Sequence, residues 1–183
     1  MHDGIGGQLV QALAMTAQRN GDADVAEVLR ASLDDLRLLI DTSAREGEDL
    51  GVLLAGLRSR LRRRLELAGL QVDWPLDAAG AMPRLNPHRA LQFVRVLQEA
   101  VANVLKHAQA RTIRIDCAVH DAADGAQLHL VVADDGRGID PATAPGRGLD
   151  NMRRRATEVG GTLSISSTQH GTRVLLRMPV GRA

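Results

Sequence analysis

The sequence predicts an α+β protein in two parts: an antiparallel helical hairpin over residues 1–46 and a helix-backed mixed sheet over 47–183. Three observations carry this. Apolar residues recur at spacings of three and four through the first 45 residues, broken once by turn chemistry. After Gly47 the pattern changes, and stretches of alternating apolar and polar residues appear between helical ones. The hairpin is too small to cover its own apolar stripes, so a second copy is its natural cover, giving a dimeric four-helix bundle.

The elements follow in order. Residues 2 to about 20 put Ile5, Leu9, Ala12, Leu13 and Thr16 on one stripe. Arg19-Asn20-Gly21-Asp22 is a turn, and residues 23 to about 45 carry a second stripe through Val25, Val28, Leu29, Leu36, Leu39 and Ile40. A helix is predicted over 48–68, with Glu48 and Asp49 in its first turn and Arg62, Arg63 and Arg64 towards its end, complementing the helix dipole. A strand over 70–76 ends at Trp74-Pro75. Asn86-Pro87 is an N-cap followed by proline at the first helical position, opening a helix to about Ala108. Ile113, Ile115, Cys117 and Val119 alternate as a half-buried strand, residues 121–125 form a hairpin turn, and 127–133 is a more buried strand. A Gly/Pro-rich stretch over 136–148 leads to a helix at 149–159, and strands over 161–167 and 172–178 close the chain.

Composition narrows the function classes. Lys+Arg is 23 and Asp+Glu 22, a net charge of +1, which gives no general electrostatic reason for a nucleic-acid or anionic-membrane partner. Trp74 and Phe93 are the only aromatic residues, so stacking platforms for single strands are nearly excluded. The single cysteine, Cys117, allows no internal disulfide and fits a reducing, cytoplasmic setting. No apolar run approaches the roughly 20 residues of a membrane span, and no signal-peptide pattern is present. Of the 23 basic residues, 22 are arginine and one is lysine, Lys106.

Three constellations carry chemistry. On the helix from Pro87, the residues Glu99, Asn103, Lys106 and His107 share one face at about 100° per residue, while Val94, Leu97, Val101, Val104 and Ala108 lie opposite. An amide oxygen suits Mg²⁺ and a lysine suits phosphate as a point charge. The same face also reads as plain solvated surface. The strand over 127–133 runs into Asp134-Asp135-Gly136-Arg137-Gly138, and Gly146-Arg147-Gly148-Leu149 precedes a helix, an arrangement that can cradle an anion. Neither fits the P-loop or Rossmann pattern, and either alone reads as an ordinary glycine turn. At the start, His2-Asp3 pairs a nucleophile with a proton acceptor, or is simply a histidine near a helix end.

Together these motifs resemble the sensor histidine kinases, in the subfamily typified by nitrate and desaturase sensors. His2-Asp3-x-Ile5-Gly6 is similar to the family's phosphoacceptor motif, and Gln98-Glu99-Ala100-x-x-Asn103-x-x-Lys106-His107-Ala108 to its N box. Asp134-x-Gly136-x-Gly138 resembles the G1 box, Gly146-Arg147-Gly148-Leu149-x-Asn151-Met152 the G2 box, and Gly171-Thr172 the closing Gly-Thr.

The resemblance implies an α/β sandwich ATP-binding domain of the histidine kinase and Hsp90-like superfamily over 47–183, behind a dimerising phosphotransfer hairpin over 1–46. It implies ATP and Mg²⁺ as cofactors. His2 would take the γ-phosphoryl group with Asp3 as neighbouring base, Asn103 would hold Mg²⁺, and Glu99 would orient the metal shell or a water. Lys106 and His107 would contact phosphates, and Asp134 would read the adenine amino group, with Gly136 and Gly138 lining the base pocket. Residues 139–147 would form a short lid, with Gly146, Gly148, Leu149 and Thr172 completing the nucleotide site. The partners implied are a second copy and a response regulator, with no direct nucleic-acid contact.

Two departures stand out. The family commonly has Gln or Thr four residues after the acidic neighbour of the histidine, where this chain has Gly7, with Gln8 about 100° further round. That makes regulator phosphatase activity doubtful. The family also places helical turns and a sensor segment before the histidine, so the chain is expected to be the transmitter end of a longer protein, whose membrane contact would lie upstream. Rival readings are a nucleotide-binding pseudokinase or scaffold, disfavoured by the complete Asn103/Lys106/Asp134/Gly148 set, and a serine-directed kinase or ATPase, disfavoured by His2-Asp3. DNA binding through Arg62–Arg64 or Arg153–Arg155 is disfavoured by the net charge. The lone lysine supplies a first test: a compact ammonium differs in reach and geometry from an arginine fork. Lys106→Arg is therefore expected to weaken Mg-ATP binding several-fold by titration calorimetry although the charge is kept.

Overall fold

The computed structural model describes residues 49–75, 82–123, 125–140 and 146–180, all within one compact unit over 47–183. The helical hairpin expected over residues 1–46, and with it His2, Asp3, Gly7 and Gln8, falls outside the described residues.

Helix α1 spans Leu50–Leu67 and buries Leu50, Leu54, Leu57 and Leu65. Asp49 does not sit in its first turn, as the sequence suggested, but is its N-cap: the carboxylate accepts from Gly51 N at 2.7 Å. At the other end Leu70 N donates to Leu65 O and Gly69 N to Glu66 O, with Gly69 at φ +83°. This is a Schellman closure, sealed by the buried pair Leu65 and Leu70. It leads into a short strand, β1 (Gln71–Asp73), which ends before the predicted limit because Trp74 turns into the core.

Helix α2 spans Pro87–Asn103. Asn86 caps it as the sequence predicts, accepting from Arg89 N at 2.8 Å, and Pro87 occupies the position where a missing N–H costs nothing. Its predicted apolar face is buried throughout, and Phe93, Val94, Val96 and Leu97 are fully enclosed. The last turn departs from the prediction: Val104–Ala108 is π-helical.

Strands β2 (Thr112–Ala122) and β3 (Gly125–Asp134) form an antiparallel hairpin that extends further towards its turn than predicted, with Ala122 paired to Gly125. Helix α3 (Arg147–Glu158) precedes a second hairpin, β4 (Thr162–Thr168) and β5 (Gly171–Pro179). The sheet order is β1-β2-β3-β5-β4, with β1 parallel to β2 and every other pair antiparallel.

Strand alternation sorts the residues by face. Ile113, Ile115 and Cys117 of β2, Leu128, Leu130 and Val132 of β3, and Val174, Leu176 and Met178 of β5 are buried. Helix α2 packs on β3 and on α3, and α3 packs on β4 and β5. Burial, together with the charge of Asp116, pushes the Cys117 thiol up to about 12, so it fills space and is no nucleophile at neutral pH.

The topology brings the C-terminal end of α2, the start of β2 and the end of β3 to one edge, because Ile113 pairs with Asp134. The α2 cap anchors the opposite end of the same helix. Asn86→Ala is expected to cost about 1 kcal/mol in denaturant unfolding, with Asn86→Asp close to the parent.

Candidate functional site

Helix α2 sets Glu99 and Asn103 one turn apart, both half-buried beneath the first turn of α3. A Cβ on Gly148 would overlap Glu99 Oε1 and lie 3.6 Å from Asn103 Oδ1. Only a glycine lets these two oxygens and the start of α3 share that space. Helix α3 begins two residues earlier than the sequence suggested, so Gly148 and Leu149 belong to its first turn, and Gly146 is an N-cap without a side chain. Amide groups at a helix start are left without intrahelical partners and point along the positive end of the dipole.

Lys106 and His107 ride on the π turn and are exposed. The turn closes i→i+5 bonds, so the uniform 100° projection that placed Glu99, Asn103, Lys106 and His107 on a single face fails for the last two. The segment then turns sharply at Gln109, φ +53°.

The loop after β3 makes the other half. Asp134 Oδ1 accepts from Gly136 N at 2.8 Å and from Thr172 N at 3.4 Å, joining the predicted G1 aspartate, its glycine and the closing Thr172. Gly136 is buried flush against the Ala108 carbonyl, which a Cβ would overlap. Gly138, at φ +72°, abuts the Thr168 carbonyl and sits 2.8 Å, measured from an added Cβ, from Ser167 Oγ. Ile139 N donates to the same Ser167 Oγ at 2.7 Å, which pins the start of the 139–147 segment to the β4–β5 hairpin.

The two adjacent aspartates are used differently. Asp135 Oδ1 accepts from the Thr112 and Arg111 amides, each at 2.8 Å, and these bonds, Thr112 first, hold its carboxyl below the usual carboxylate range. Asp135 thus fastens the start of β2, while Asp134 faces Gly136 and Thr172.

The predicted residues therefore fall into two clusters. Glu99, Asn103 and Gly148 form one; Asp134, Gly136 and Thr172 form the other, with Gly138 beside the hairpin. The end of α2, bearing Lys106 and His107, lies against the second cluster through Gly136. Among the described residues none comes within 4 Å of a Cβ added at Gly146. Sequence reading missed Asp135, Arg137 and Ser167, whose contacts span 23 to 30 residues and leave no local signature. Among the described residues no group of three or more His, Cys, Asp or Glu converges as a metal cage. Glu99 and Asn103, with one carboxylate and one amide oxygen, instead match the sparse protein ligation that Mg²⁺ takes when phosphates complete its shell.

A family model described as histidine kinase-, DNA gyrase B- and HSP90-like ATPase matches residues 88–182. The chain is 34% identical over 177 residues to the signal transduction histidine-protein kinase/phosphatase UhpB of Salmonella typhimurium, covering 94% of this chain and 31% of that protein. It is 33% identical over 153 residues to the nitrate/nitrite sensor protein NarQ of Escherichia coli, covering 81% of this chain and 26% of that protein. The chain thus spans about a third or less of these relatives' length. The histidine kinase domain of the Erythrobacter litoralis EL346 blue-light activated histidine kinase has the same fold, with a TM-score of 0.66 at 18% identity over 96% of this chain and 85% of that one. No helix among the described residues is long and apolar enough to cross a membrane.

The glycine contacts give opposite expectations for two substitutions. Gly136→Ala meets backbone and should lower the melting temperature by several degrees. Gly148→Ala meets the movable end of Glu99, so stability should stay near the parent while Mg-ATP affinity falls at least tenfold by calorimetry.

Proposed function

The chain belongs to the histidine kinase-, DNA gyrase B- and HSP90-like ATPase family, and from that membership we propose that it is the transmitter region of a sensor histidine kinase. It binds Mg-ATP, phosphorylates its own His2, and passes the phosphoryl group to an aspartate of a response regulator. The observation that carries this reading is the convergence of Glu99 Oε1 and Asn103 Oδ1 beneath Gly148, a pair of hard oxygen donors at the start of a helix.

Each residue takes a role its surroundings suit. Asp134 shares Oδ1 with Gly136 and Thr172 and uses its other oxygen to accept from the adenine amino group. Gly136 and Gly138 bring backbone close to the base. Asn103 holds Mg²⁺ and Glu99 orients its shell or a water. When bound, the metal neutralises charge on the phosphates. Lys106 and His107 contact phosphate oxygens from the π turn, and the start of α3 presents the Gly146, Arg147 and Gly148 amides to them, the Leu149 amide being taken by the Gly146 carbonyl. Residues 139–147 serve as a short lid over the nucleotide, and the Ile139 amide bonds Ser167 Oγ.

The His2 imidazole nitrogen forms a bond to the γ-phosphorus as the bond from that phosphorus to the β–γ bridging oxygen breaks and ADP leaves; Asp3 accepts the imidazole proton. The hairpin over 1–46 dimerises and brings His2 to a nucleotide site. Gly7 offers no side chain to position water, so this chain is a weak phosphatase towards its regulator, unlike what the name of the Salmonella relative says of that protein.

Incubation with γ-labelled ATP and Mg²⁺ tests the reading. The expected label is acid-labile and alkali-stable, absent in His2→Gln with ATP affinity unchanged, and absent in Asn103→Asp together with Mg²⁺-dependent binding. An acid-stable label, or none, overturns it.

A further inference from the structure

Helices α1 and α3 end the same way. Each closes on a glycine of positive φ, Gly69 or Gly160, with bonds back into its own last turn. Helix α2 ends differently. Its left-handed residue is Gln109, its last turn is π-helical, and two consecutive terminal carbonyls are bonded from another part of the chain. Arg137 N donates to Ala108 O at 2.8 Å, and Arg137 Nε donates to His107 O at 2.8 Å, across 30 residues of sequence. Terminal helix carbonyls need such partners, and a cation there is favoured by the dipole.

We infer that Arg137 is a positioning residue for phosphate binding: it clips the π turn to the base-reading loop and so fixes where Lys106 stands. The inference rests on the reading of this site as an ATP site. Four successive residues of the loop are each held by a neighbour, the last two by the end of the π turn. Asp134 holds Gly136 and Thr172, Asp135 holds the Arg111 and Thr112 amides, Gly136 lies on Ala108, and Arg137 takes the His107 and Ala108 carbonyls. The loop that carries Asp134 therefore also caps the turn that carries Lys106, and the base end and the phosphate end of the site are set by one clamp. Arg137 is exposed and takes no part in the core, so its loss loosens the π turn without emptying the fold. Lysine cannot replace it, because the bonding nitrogen is the Nε of a planar fork.

The test compares Mg-ATP with adenosine, which lacks every phosphate, in the full chain. In Arg137→Gln, Mg-ATP affinity should fall about tenfold by calorimetry and adenosine affinity by less than about twofold by NMR titration. Arg137→Lys should lose nearly as much and serves if the glutamine variant does not fold. In a Lys106→Met background the Arg137→Gln effect on Mg-ATP should shrink to about twofold or less, the coupling expected if one residue acts through the other. Amide exchange over 104–110 should quicken in either Arg137 variant. Unchanged Mg-ATP affinity, equal losses for Mg-ATP and adenosine, or additive effects with Lys106→Met each overturn the inference while the ATP site stands. A parent protein that binds neither ligand overturns both.

Discussion

The carbonyls at the C-terminal end of α2 have to be bonded, and the rest of the site is arranged around how that is done. The helix leaves the core at Ala108, at the edge where β2 starts and β3 ends, so the nearest donors are those of the loop that follows β3. Closing the helix there forces Gly136 into contact with Ala108 and directs Asp134 towards Thr172 on the neighbouring strand. A glycine closure like that of α1 would have satisfied the carbonyls locally and left the loop without that anchor. The helix end and the loop are thus a single structural decision.

The second constraint is the approach of α3 to α2. Glu99 and Asn103 are half-buried polar groups, which are costly to cover unless something polar remains within reach. Gly148 covers them with backbone, placing the amide-rich start of α3 over a carboxylate and an amide oxygen. A carboxylate beside a helix start is electrostatically favoured, and the same field attracts the anion of a ligand. The family's ATP chemistry needs little more from the protein than such placed charges, since phosphoryl transfer relies on positioning and neutralisation.

Much of this was legible in the residues. Asn86-Pro87 announces a helix start because capping is local, and the alternation of Ile113, Ile115 and Cys117 announces a buried strand face because the strand period is two. The glycines of the two loops read as places where backbone nears a ligand; that Gly136, Gly138 and Gly148 also lie against Ala108, Thr168 and Glu99 of the protein itself was not legible. The π turn was not legible, because a five-residue change of helical pitch leaves Val104 and Ala108 apolar and buried, as an α-helix would. The motif spacing singled out Asp134, but what Asp135 does was not legible: its role lies in the Thr112 and Arg111 amides, which only the fold brings near.

The lone lysine gains its meaning from the same turn. Arginine serves this chain well on its surface, where Arg62 and Arg154 pair with glutamates one turn away. It also serves at the end of α2, where the planar side chain of Arg137 bonds the His107 carbonyl while its own amide bonds Ala108. Beside it, on the π turn, the requirement is different. A phosphate contact from a short, exposed turn favours a compact charge on a flexible stem that can follow the ligand without occupying the carbonyls that hold the turn. In the proposed reading the two cations divide the work: Arg137 fixes the turn through its amide and its planar Nε, and the compact charge at position 106 is left to meet the phosphate.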